Sequence, residues 1–66
     1  MQITVNGRHR EVSDDCTVGA LLADLGFKPT AVAVWIGERQ VWQREYETLK
    51  LAPGDDVRVV KPIAGG

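Results

Sequence analysis

The residues best placed to do chemistry in this chain are the last two. The sequence closes on Gly65-Gly66, which predicts a terminal carboxylate with no Cβ for two positions behind it. Such a tail is thin and pliable, able to enter a channel that any larger side chain would block. Other residues invite a chemical reading less strongly. Cys16 is a lone cysteine ahead of an expected helix start, where thiolate is favoured; in a small domain it reads as incidental. His9 has no partner ligand near it in sequence. The acidic pairs Asp14-Asp15 and Asp55-Asp56 read as solvated turn and cap residues rather than as a general acid and base. Glu38-Arg39 and Arg44-Glu45 read as ordinary charged surface, with Arg44 a candidate partner contact.

Size and composition narrow the classes of function. The 66 residues are 44% hydrophobic and 26% charged, with a formal net charge of −1. A domain near 60 residues buries only about 60% of its unfolded surface, which leaves little room for a catalytic pocket of several hundred cubic ångströms. Nucleic-acid binding calls for a basic stripe that this balance lacks. No apolar run approaches the ~20 residues that span a bilayer. The start, Met1-Gln2-Ile3-Thr4, lacks the charged and apolar regions of a signal peptide. A single cysteine makes no internal disulfide, so the expectation is a cytoplasmic protein.

The elements that must position the tail follow from periodicity. Met1–Val5 alternates apolar and polar, as a strand does. Asn6-Gly7 is a hairpin signal, since a type I′ turn needs positive φ at both central residues. Arg8–Val12 is then the returning strand. A two-residue turn pairs Val5 with Arg8 and Ile3 with Arg10, placing two arginines on the apolar face. Either a bulge intervenes, or this is an edge strand whose arginines snorkel outward; edge placement is the favoured reading. Thr17 is the expected N-cap of a helix whose Val18, Leu21, Leu22 and Leu25 share one face, with Gly26 as its stop. Gly19 inside that helix costs up to about 1 kcal/mol against Ala. Ala31–Ile36 reads as a strand, Gly37–Gln40 as a turn, and Val41-Trp42 as a short strand. The conformation of residues 43–52 is open, with Arg44–Leu51 reading as either a helical turn or an irregular segment. Pro53–Asp56 is a turn, and Val57–Val60 is a last strand ended by Lys61-Pro62.

This order resembles the β-grasp, or ubiquitin-like, fold: an α+β domain with a small mixed sheet of four to five strands and one main helix on one face. The resemblance implies that the first and last strands lie side by side and parallel at the sheet centre. The expected division is a β-grasp domain over 1–61 and a flexible tail over 62–66.

Several segments are similar to the small sulfur carriers of the ThiS/MoaD family: Met1-Gln2-Ile3-Thr4-Val5-Asn6-Gly7, Thr17-Val18-Gly19-Ala20-Leu21-Leu22, Arg44-Glu45-Tyr46, the Gly54-Asp55 turn, and Ile63-Ala64-Gly65-Gly66. The resemblance runs the length of the chain and is closest to the thiamine branch. ThiS sequences often carry a proline before the arginine that Arg44 resembles, where this chain has Trp42-Gln43. Pro62 echoes the tail of the molybdopterin branch.

The resemblance implies a protein co-substrate rather than an enzyme. A free carboxylate is a poor electrophile, and an E1-like, ThiF-type enzyme would adenylate Gly66 with ATP and Mg²⁺. A persulfide sulfur from a donor enzyme would displace AMP and leave a thiocarboxylate, which a ThiG-type thiazole synthase would consume in building the thiazole of thiamine. The carrier itself would bind no cofactor and no metal. Gly66 is the covalent site, Gly65 gives clearance, and Pro62, Ile63 and Ala64 form an extended lead-in for a partner groove. If Val32, Val34 and Ile36 face the helix, alternation turns Ala33 and Trp35 outward, and Arg58 and Val60 likewise. These four residues are the candidate docking face; the competing reading makes Trp35 a sheet residue that only stabilises the fold. The alternatives in function are a carrier for molybdopterin or another sulfur-containing metabolite, a β-grasp binding module without tail chemistry, and a protein modifier forming isopeptide bonds.

Overall fold

The structure, a computed structural model, describes residues 1–61; expectations placed on Pro62, Ile63, Ala64, Gly65 and Gly66 lie outside the described residues. Strand β1 (Gln2–Val5) turns through Asn6-Gly7 into β2 (Arg8–Glu11). Asn6 and Gly7 take φ of 52° and 82°, the positive pair that a two-residue hairpin turn requires. The register is continuous, Val5 opposite Arg8 and Ile3 opposite Arg10, so no bulge intervenes. Strand β2 lies at the sheet edge, where its Arg-His-Arg-Glu sequence discourages further pairing. One detail differs from expectation. Arg10 does not reach straight out to water; it is half-buried and pairs with Asp24 on the helix. Its aliphatic stem thereby covers apolar surface.

Helix α1 (Val18–Leu25) starts at Thr17, whose hydroxyl oxygen accepts a hydrogen bond from the Ala20 amide at 3.1 Å. It stops at Gly26, left-handed with φ of 83°. Val18, Leu21 and Leu22 are buried, and Leu25 packs at the margin of the core. Each fully buried side chain of this kind contributes about 1.5–3 kcal/mol. They meet Ile3, Val5, Val34, Val41, Val57 and Val59 from the sheet, with Tyr46 and Leu51 closing the side.

After a short 3₁₀ turn at Pro29–Ala31, β3 (Ala33–Ile36) pairs with β4 (Arg39–Val41) through a two-residue turn at Gly37-Glu38. The expected strand at Val41-Trp42 is displaced toward its start, because the turn is shorter than its polar run suggests. Trp42 leaves the ladder and opens a 3₁₀ turn at Gln43–Glu45. Glu45 organises this segment: its carboxylate accepts from the Trp42 amide at 2.9 Å and from Arg39 at 2.7 Å. Strand β5 (Asp56–Val60) follows the turn at Gly54, whose φ is 80°.

The five strands run in the order β2-β1-β5-β3-β4. Strands β1 and β5 are parallel and adjacent, and β5 is central, antiparallel to β3. The helix covers one face. This is the ubiquitin-like β-grasp arrangement that the order of elements suggested.

Candidate functional site

Strand β5 is the element that leads toward Gly66, and its alternation separates two faces. Val57 and Val59 are buried against the helix, whereas Arg58 and Val60 are exposed. On β3, Val34 is fully buried and Trp35 is half-buried on the opposite face. The pairing joins these two patterns. Ala33 lies opposite Val60, and Trp35 opposite Arg58. Directly opposed residues of an antiparallel pair hold their Cβ atoms about 4.5–5.5 Å apart. The four candidate docking residues therefore form two adjoining pairs on the helix-free face, and the register is the one alternation implies.

Trp35, Gly37, Glu38, Arg58 and Val60 line a shallow open depression there. Val60 is 40% exposed. A half-buried indole flanked by a guanidinium pairs two residue types enriched at protein interfaces. Trp42 is 53% exposed beside the edge strand β4; its β-rich neighbourhood in sequence carries no signal that it leaves the ladder.

The other tempting residues are accounted for by local structure. Cys16 is buried, and burial pushes its thiol above the ordinary 9.0, with the Asp24 and Asp15 carboxylates adding to the rise and Arg10 opposing it. It is therefore held as the neutral thiol, the reverse of an activated nucleophile. Tyr46 is likewise raised by burial, and its hydroxyl donates to the Val32 carbonyl at 3.3 Å. Asp55 accepts from the Ala52 amide at 2.8 Å, and Asp56 from the Thr4 hydroxyl at 2.9 Å; both serve the turn and the β1–β5 seam. His9 is exposed on β2. Among the described residues no group of three or more His, Cys, Asp or Glu could hold a metal ion, and no helix is long and apolar enough to cross a membrane.

A second, larger groove opens on the helix side, between the start of α1 and the 3₁₀ turn, past Gly19, Arg44 and Glu47. The Thr17 hydroxyl at its rim is committed to the helix cap.

The model of the ThiS family matches residues 3–66, Gly65 and Gly66 included. The chain belongs to the ThiS family. A thiazole synthase from Paramagnetospirillum magneticum is 35% identical over 66 residues, which are the whole of this chain and 20% of that protein. The chain thus spans about a fifth of the length of the curated relative it matches. Among solved structures, the thiamine biosynthesis protein ThiS from Geobacter metallireducens superposes with a TM-score of 0.84 at 25% identity, covering 100% of both chains. A ubiquitin-like protein from the archaeon Caldiarchaeum subterraneum covers 98% of this chain and 100% of its own, with a TM-score of 0.58 and 25% identity. A ThiS-family chain on a ubiquitin-like scaffold fits the arrangement of β5, whose exposed face lies beside Trp35.

Proposed function

We propose that this protein is a sulfur carrier of thiamine biosynthesis, a co-substrate whose working group is the α-carboxylate of Gly66. The observation that carries the reading is the ThiS-family match, which runs through Gly65-Gly66. The thiamine branch is favoured because the similar solved structure is a thiamine biosynthesis protein and the similar curated protein is a thiazole synthase. The chemistry explains the need for a carrier. A carboxylate at neutral pH resists nucleophiles, so its oxygen first attacks the α-phosphate of ATP, releasing pyrophosphate and forming an acyl adenylate. A ThiF-type enzyme with Mg²⁺ supplies that step. The terminal sulfur of a donor's persulfide then attacks the acyl carbon, AMP leaves, and a thiol cleaves the resulting acyl disulfide to give the thiocarboxylate. Its sulfur is soft, anionic at neutral pH and ready to attack a carbon electrophile on a thiazole synthase.

The carrier's part is presentation. Gly65 and Gly66 carry no side chain to obstruct a narrow approach, and Pro62, Ile63 and Ala64 form the segment a partner groove grips. Trp35, Ala33, Arg58 and Val60 dock the partner while the tail engages it. ATP and Mg²⁺ belong to the adenylating partner, and the carrier supplies neither acid, base nor metal.

The test is transfer of the sulfur. The protein, prepared with a ³⁵S-labelled thiocarboxylate at Gly66, is mixed with thiazole synthase and its remaining substrates. Label in the thiazole product supports the reading. Label retained by the protein, while the synthase turns over with its own carrier, contradicts the thiamine assignment. Label appearing in molybdopterin with a molybdopterin synthase large subunit would move the protein to that branch.

A further inference from the structure

Strand β5 runs past the end of its parallel neighbour. The β1–β5 ladder pairs Thr4 with Asp56 and Val5 with Val57, and then β1 turns away at Asn6-Gly7 while β5 continues to Val60. The last backbone rung is the Asn6 amide donating to the Val57 carbonyl at 2.9 Å. Val59, buried and two residues further on, thus faces a place where β1 has no backbone left. The Asn6 side chain fills it. Its Oδ1 accepts from the Val59 amide at 2.8 Å, and its Nδ2 donates to the Val59 carbonyl at 3.2 Å. A carboxamide has the donor and acceptor of a peptide group, so Asn6 supplies one further rung to the parallel ladder. Few residues do both jobs at this position. The turn demands positive φ, which Asn tolerates better than most residues, and the ladder demands a donor and an acceptor on one short arm.

We propose that Asn6 is a positioning residue for the carboxy-terminal segment. It ties β5 to the β1 turn through Val59, on the side that β3 does not pair, and so helps fix the direction in which the chain sets out toward Gly66. The proposal rests on the sulfur-carrier reading for its consequence. Without the clamp, β5 keeps its pairing with β3 through Val34–Val59 and Ala33–Val60, but its β1 side is open beyond Val57. The departure of the chain at Lys61 is then supported from one side only, and loss of a fixed direction lowers productive entry.

Two variants test this, Asn6→Gly and Asn6→Asp, which share tolerance of the turn and lack the carboxamide. Asp retains the acceptor but sets a carboxylate oxygen against the Val59 carbonyl. The first readout is amide hydrogen exchange by NMR, comparing Val59 with Leu22, whose amide reports opening of the whole domain. The Val59 rate relative to Leu22 should rise about tenfold in Asn6→Gly, the loss of one buried hydrogen bond, and less in Asn6→Asp, which keeps an acceptor for that amide. An unchanged ratio in Asn6→Gly overturns the clamp. The second readout is adenylation by a ThiF-type enzyme over a range of carrier concentrations. The account expects kcat to fall about two- to fivefold with KM for the carrier little changed. A carrier that had merely lost stability would be present at a lower folded concentration. It would show a raised apparent KM with kcat intact, which overturns the positioning role. Failure of the unsubstituted protein to be adenylated overturns the sulfur-carrier reading and the delivery role with it, and is distinguishable because the exchange ratio still decides the clamp.

Discussion

Gly19 shows how a residue that costs helix propensity is nonetheless required. Its amide donates to the Tyr46 carbonyl at 2.6 Å, and a Cβ placed on it would lie 3.0 Å from that same oxygen and 3.4 Å from its carbon. The helix can approach the 43–51 segment this closely only where it has no side chain. Gly19→Ala gains about 1 kcal/mol of propensity, but crowding a backbone atom typically costs about 1–3 kcal/mol. Net destabilisation near 1 kcal/mol is expected, lowering Tm by about 4–8 °C for a domain of this size, and a calorimetric scan checks it. A Tm equal to or above that of the parent would refute the close-approach argument. A second expectation concerns pH. Cys16 and Tyr46 both hold their protons more tightly in the fold than in the unfolded chain, from ordinary values of 9.0 and 10.0. Their contribution is intact below pH ~9 and is lost as pH rises through the folded values, because the unfolded chain releases those protons first. Denaturant midpoints should therefore fall above pH ~9, and Cys16→Ser should remove part of that slope.

At the scale of elements, the helix stands on two supports of unequal size. Leu22→Ala empties a fully buried site and should cost about 2–5 kcal/mol, enough to unfold a large fraction of a marginal domain. Thr17→Ala removes only the cap on the Ala20 amide and should cost about 1 kcal/mol. Circular dichroism melts of the two variants check the ranking, and a larger loss for Thr17→Ala would contradict it. The elements most legible in the sequence are those whose signals are local. The Asn6-Gly7 turn, the Leu21/Leu22 stripe with its caps, and the alternation of Val57 to Val60 all carry their own geometry. The same alternation made the helix-free face legible before the fold was known. What was not legible depends on side-chain partners that no periodic pattern marks. The 43–52 segment is held by Glu45 reaching Arg39 and by Tyr46 packing into the core, and neither leaves a periodic trace. Arg10 and Asp24, 14 residues apart, and Asn6 and Val59, 53 apart, meet only once the sheet exists.

For the molecule as a whole, the account separates a docking face from a reacting end. The two tryptophans offer a contrast. Trp35 lies beside Arg58 on the face next to β5, whereas Trp42 stands exposed past the end of the edge strand β4. Trp35→Ala should weaken binding to a ThiF-type enzyme by about 2 kcal/mol, roughly thirtyfold in Kd, while Trp42→Ala should leave it nearly unchanged. Titration calorimetry distinguishes the two, and a dominant loss at Trp42 would move the docking face. The central claim, that Gly66 is the group that carries sulfur, has a more direct test. It is the intact mass of the protein after incubation with ATP, Mg²⁺, a ThiF-type enzyme proven on its own carrier, and a persulfide source, with a Gly66-deleted variant alongside. The account predicts a gain equal to exchanging one oxygen for sulfur in the full chain and none in the deletion. An unchanged mass in both, or the same gain in both, would contradict it.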